Sequence, residues 1–161
     1  MNLVHLHLAL NHVPVLGVVF GLALLAFAAV KKSRELTRVS LGLFVLVALL
    51  TSPAYLTGEP SEDAVEYLPG VSKPIIEQHE TAAGVAFGGV AVLGVAGLVG
   101  LLLSRGNREI SNWMRPATIT LAIIASGLMF WTANLGGQIR HTEIRSGATA
   151  PQSPASKGEH E

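Results

Sequence analysis

The chain of 161 residues contains no cysteine. This absence excludes disulfides, iron–sulfur clusters, thiolate zinc sites and the covalent attachment of c-type haem. Any metal or cofactor must therefore be held by histidine, carboxylate, methionine or backbone groups.

Charge is also scarce, since 14% of the residues are charged and 11 basic residues balance 11 acidic ones. A neutral chain has no overall basic field, so we expect no nucleic-acid partner. The sequence offers no nucleophile–base pair, phosphate-binding loop or HExxH motif. These absences favour a non-catalytic role over an enzyme.

Apolar residues, by contrast, make up 50% of the chain, and the mean hydropathy of +0.49 is typical of a membrane protein. Four runs each approach the ~20 residues that a helix needs to cross the hydrocarbon core. They span about residues 13–30, 39–56, 81–103 and 116–135. Lipid leaves open backbone groups without partners, so each run is predicted to be a helix. We predict an all-α membrane protein, a four-helix up-down bundle over residues 1–145, with a disordered polar tail at 146–161.

The charges are sorted along the chain, and this sorting predicts the topology. The connections after the first and third runs are basic, whereas the connection between the second and third is acidic. The basic residues are Lys31, Lys32, Arg34, Arg38, Arg105, Arg108 and Arg115. By the positive-inside rule, both basic connections face the cytoplasm of a bacterial inner membrane and both termini are periplasmic.

An internal repeat is indicated by two stretches, H-V-P-V-L-G-V-V-F-G from His12 and H-E-T-A-A-G-V-A-F-G from His79. The second and fourth runs also end alike, in A-Y-L-T-G and A-N-L-G-G. Both halves begin and end outside, so they would be parallel two-helix repeats about a pseudo-two-fold axis along the membrane normal. The alternative is that glycine-rich membrane helices resemble one another by composition.

Such an axis would bring His12 and His79 to the same depth on opposite sides of the bundle, as six-coordinate haem iron requires. We therefore predict a haem b near the periplasmic face, with His141 as the alternate ligand. Five of the six histidines lie at outer ends of runs. Interfacial histidines that are merely tolerated there are the competing interpretation.

Further side chains could serve the cofactor. Ala82, Ala83 and Ala86 follow His79 on one helix face and would either leave a flat space for a porphyrin edge or pack against a helix. The polar candidates at similar depth are Tyr55, Asn134 and Arg140, the last as a partner for propionates or anionic lipid.

His5 and His7 alternate with apolar residues, so they would share a face in a strand and point about 160° apart in a helix. In the strand form they could belong to a periplasmic copper or zinc site.

These motifs resemble those of an uncharacterised group of bacterial four-span membrane proteins. The matching residues are His12-Val13-Pro14, Thr57–Pro60, His79-Glu80 and Asn134–His141, and the similarity covers roughly residues 5–145. The resemblance implies a four-helix fold and suggests haem binding.

Together these patterns predict a membrane b-type cytochrome that carries electrons. Expected partners are membrane lipid, other subunits of a respiratory or photosynthetic complex, and quinol or a periplasmic electron carrier. Two alternatives remain open: a structural accessory subunit without redox function, and a periplasm-facing metal site without porphyrin.

Overall fold

The computed structural model describes residues 2–106 and 113–145. Its helices are α1 (Leu3–Leu10), α2 (His12–Lys31), α3 (Arg34–Leu56), α4 (Gly58–Asp63), α5 (Lys73–Leu103) and α6 (Met114–Arg140), followed by a 3₁₀ turn at Thr142–Ile144. Four stretches are long and apolar enough to cross a membrane. The predicted all-helical bundle is confirmed, and the chain is a multi-pass membrane protein. The predicted tail and residues 107–112, which include Arg108, lie outside the described residues.

The four long helices pack around a square. Helix α2 packs on α3 and α6, and α5 packs on the same two neighbours, so α2 and α5 lie diagonally across the bundle. We call α1–α4 the first hairpin and α5–α6 the second hairpin. This diagonal placement of their leading helices is what a two-fold axis between the hairpins requires.

Two prolines of the first hairpin follow helix ends by four residues, whereas a third, Pro53, lies inside α3 without ending it. A proline ring clashes with the carbonyl four residues earlier and lacks the N–H that would bond to it. Helix α1 ends at Leu10, four residues before Pro14, and α3 ends at Leu56, four residues before Pro60. The second hairpin carries its prolines in the first turns of its helices, where they are tolerated, at Pro74 and Pro116. Its helices are therefore continuous.

The middle of the bundle is closely packed. Its apolar core contains the fully buried side chains of Leu25 and Phe44 from the first hairpin and of Ala86 from the second. A methyl group at Gly97 would lie 2.7 Å from the carbonyl oxygen of Leu41, so only glycine lets α5 approach the α3 backbone this closely.

Arginines join separate segments at both ends of the bundle. At one end, the Nη2 of Arg34 donates to the carbonyl oxygens of Ser104 (3.3 Å) and Gly106 (2.7 Å). At the other, Arg145 donates through Nε to Gln138 O at 2.8 Å and through Nη2 to Gly70 O at 2.7 Å. We call the first the arginine end. The second is the histidine end, because it holds the residues discussed next.

Candidate functional site: a cavity at the histidine end

A cavity of about 690 Å³ opens among the helices at the histidine end. Four histidines line it: His7, His12, His79 and His141. Most of the remaining wall is apolar, with contributions from both hairpins, including Val4, Leu8, Val15, Phe87 and Met129. This volume and this lining match sites that take a small molecule or cofactor, which typically measure ~300–1,000 Å³.

His79 is anchored to the partner helix of its own hairpin. Its Nδ1 lies 3.0 Å from the carbonyl oxygen of Thr132 on α6. A carbonyl can only accept, so Nδ1 must carry the proton and Nε2 carries the lone pair. Helix α5 begins at Lys73, eight residues before the predicted run, and His79 therefore lies in its second turn rather than at its head.

His7 makes the corresponding contact in the first hairpin. Its Nδ1 lies 2.9 Å from the carbonyl oxygen of Ala54 on α3, so its Nε2 also carries the lone pair. The hydroxyl of Thr57 lies 3.4 Å from the same nitrogen.

His12 and His141 are held less firmly. Both were predicted as ligands, and both line the cavity, but their side chains are exposed. Within the described residues no hydrogen bond fixes the His12 ring. His141 Nδ1 lies 2.8 Å from Glu143 Oε1. The pKa of Glu143 is lowered, first by a hydrogen bond from its own backbone N–H and second by this contact with His141. The ligand pairing of His12 with His79 stays a prediction.

Three of the predicted cofactor residues lie elsewhere. Ala82 and Ala86 are fully buried and pack inside the bundle rather than along the cavity, so the helix-packing interpretation holds for them. Asn134 is exposed and accepts a hydrogen bond from Gln138 Nε2 at 2.7 Å. It does not line the cavity, although its neighbours Ala133 and Gly137 on α6 do.

The other three predicted cofactor residues, Ala83, Tyr55 and Arg140, do line the cavity. The ring of Tyr55 stacks on that of Phe87, with centroids 4.8 Å apart and planes 8° from parallel. This pair forms a flat aromatic wall where α3 meets α5. Arg140 lies at the end of α6 with its side chain exposed.

Two polar groups of the lining are not among the predicted site residues. The Oδ1 of Asn11, between α1 and α2, is buried and without a hydrogen-bond partner. Glu62 of α4 brings a half-buried carboxyl to the same space. Neither belongs to a motif; Asn11 lies between α1 and α2, and Glu62 lies on the short helix α4.

The residues do not favour a metal ion bound by side chains alone. Within residues 2–106 and 113–145, no group of three or more His, Asp or Glu side chains is placed to hold one. His5 and His7 occupy a helix and so point about 160° apart. His5 is exposed, with its Nδ1 2.7 Å from Asn2 Oδ1.

No protein-family model, curated protein or solved structure matches this chain. The resemblance suggested by the motifs therefore stays a prediction, and a function must be argued from the cavity itself.

Proposed function

We propose that this protein is a small membrane b-type cytochrome that binds haem in the histidine-end cavity and transfers electrons. The observation that carries the proposal is His79. Its Nδ1–H is bonded to a backbone carbonyl, and its Nε2 is left for a ligand inside a cavity that histidines of the other hairpin also line. Metal-binding histidines almost always have this arrangement, because the second-shell acceptor fixes the tautomer and orients the ring.

The number of available ligands favours haem over a bare ion. A porphyrin supplies four nitrogens to its iron, so the protein needs to supply at most two. A bare transition-metal ion needs three or four protein ligands. Two imidazoles from opposite hairpins meet the first requirement, and the described residues lack the cluster that the second demands.

The remaining lining fits a large, flat, mostly apolar group with polar edges. The stacked rings of Tyr55 and Phe87 provide a flat wall. The buried Oδ1 of Asn11 lacks a partner, and a polar edge of a bound molecule would relieve the cost of leaving that amide unpaired. Arg140 is a cation suited to a propionate. Haem supplies the one-electron chemistry, while the protein sets its axial ligands, orientation and exposure to water.

Partners and placement follow from the same proposal. Large apolar side chains such as Leu16, Phe20 and Phe130 are more than half exposed and suit lipid tails or helices of neighbouring subunits. With the arginine end in the cytoplasm of a bacterial inner membrane, the cavity would lie near the periplasmic face. Quinol or a periplasmic carrier could then exchange electrons there with a larger complex.

The test is the absorption spectrum of the purified full-length protein, expressed with haem supply. We expect a sharp Soret band and split α/β bands on reduction in the wild type. His79→Ala should lose the low-spin spectrum, because it removes an axial bond. His5→Ala is the matched control, since His5 does not line the cavity. A colourless wild type, or an unchanged spectrum in His79→Ala, would overturn the proposal.

A further inference from the structure

The two hairpins hold their imidazoles in the same way, although the matching residues are not the ones that the sequence motif pairs. The motif aligns His12 with His79. The hydrogen bonds instead align His7, on Ala54 O at 2.9 Å, with His79, on Thr132 O at 3.0 Å. In each case the ring donates to a backbone carbonyl of the returning helix, on α3 in the first hairpin and on α6 in the second.

A glycine accompanies each carbonyl. Gly58 follows Ala54 by four residues, and Gly136 follows Thr132 by four. A Cβ at Gly58 would meet the His7 ring first, with Cε1 at 3.7 Å, and one at Gly136 would meet the His79 ring, with Cε1 at 3.0 Å. At Gly136 the imidazole takes part of the space that a side chain would need, and at Gly58 it lies at ordinary contact distance.

A second pair of glycines lies at the same distance along the chain from the two rings. Gly17 lies ten residues after His7, and Gly89 lies ten after His79. A Cβ at Gly17 would clash with Val47 of α3, and one at Gly89 would lie 2.9 Å from Leu128 of α6. The match is limited to this spacing, because Val47 lies seven residues before Ala54 and Leu128 four before Thr132.

His12 lacks all of these features. It is exposed, and among the described residues no carbonyl holds its ring. A ligand held this loosely loses more rotamer freedom on binding than one whose ring is already fixed.

We propose that His7 and His79 are the two axial ligands of the bound haem, and that His12 is not a ligand. The inference rests on the proposed function and refines it, because it replaces the residue that the sequence motif indicates. The Nε2 atoms of both rings carry the lone pairs, and each ring belongs to a different hairpin, so one haem would be held between the two halves of the chain.

The test compares His7→Ala with His12→Ala in the full-length protein, with haem content and spin state measured by absorption and electron paramagnetic resonance. We expect His7→Ala to lose the low-spin signal and to regain it when free imidazole is added. His12→Ala should keep the wild-type haem content and low-spin signal. Loss of the signal in His12→Ala together with its retention in His7→Ala would overturn the inference.

A second variant guards against a mere folding defect. His7→Met keeps a ligand at the position, so we expect a low-spin haem with a raised redox potential, because a thioether favours the reduced iron. A potential equal to that of the wild type would show that residue 7 is not bound to iron and would overturn the inference. A wild type without haem would instead refute the proposed function, so the two failures can be told apart.

Discussion

The two hairpins hold an imidazole by the same kind of hydrogen bond, although their backbones differ. In the first hairpin, the short helices α1 and α4 are separated from α2 and α3 by one residue each, and His7 lies on α1. In the second, His79 lies within the uninterrupted 31-residue helix α5. The histidines that correspond in the two hairpins are therefore recognised by the carbonyl and the glycine that each ring contacts. Their position in the repeated sequence motif does not identify them.

The glycines of the sequence motif provide the strongest test of this comparison. A Cβ at Gly21 would collide with the ring of Phe44, which is fully buried and cannot move aside, whereas nothing lies within 4 Å of a Cβ at Gly88. Gly21→Ala should lower the free energy of unfolding by about 1–3 kcal/mol through overpacking. Gly88→Ala should leave it unchanged or raise it by up to about 1 kcal/mol, because alanine favours helix.

The measurement is unfolding of the purified protein in detergent, followed by circular dichroism. Equal effects of Gly21→Ala and Gly88→Ala would mean that the motif register, with Gly21 equivalent to Gly88, describes the packing after all.

The glycines beneath the rings give a smaller contrast. Gly136→Ala would place a Cβ 3.0 Å from Cε1 of His79, so the ring must shift, and we expect a loss of about 1 kcal/mol in unfolding free energy. Gly58→Ala would meet His7 at 3.7 Å, an ordinary contact, and should be close to neutral. The same unfolding assay applies, together with the NMR shifts of the ring protons. A ring of His79 whose shifts do not change in Gly136→Ala would contradict the contact.

The smallest effect concerns the attachment of α1. The Ser61 hydroxyl donates to Thr57 O at 2.5 Å and also lies 3.4 Å from Leu3 O, a second acceptor through which α4 contacts α1. Ser61→Ala should speed amide hydrogen exchange in α1 several-fold, in keeping with ~0.5–1.5 kcal/mol for one hydrogen bond, and leave α5 unchanged. Ser126→Ala is the control, since that hydroxyl bonds only within α6, to Ala122 O at 2.8 Å. Uniform acceleration in both variants would argue against a local link.

The sequence was sufficient for the spans because lipid forces apolar runs of this length into helices. It also placed the histidines at one end of the bundle. The sequence could not predict the hydrogen-bond partner of His7. The acceptor is the backbone carbonyl of Ala54, 47 residues away, and every residue carries such a group. The unpaired Oδ1 of Asn11 could not be predicted either, because its surroundings depend on how the junction of α1 and α2 packs.

The alanines after His79 show a similar limit. Helical periodicity predicted that Ala82, Ala83 and Ala86 share one face of α5. The edge of the cavity divides that face. Only Ala83 reaches it, while the other two are fully buried. Helical periodicity predicts which residues share a face of a helix. It does not predict which of them contact a neighbouring helix and which line a cavity.

Each hairpin contains its own ring, its own carbonyl acceptor and its own glycine. In the proposed haem site, each half of the chain would supply one axial ligand together with the carbonyl and the glycine beside it. A single hairpin would then have to pair with a second copy to bind haem. A chain that carries both hairpins would need no such partner, and its haem binding would not depend on protein concentration.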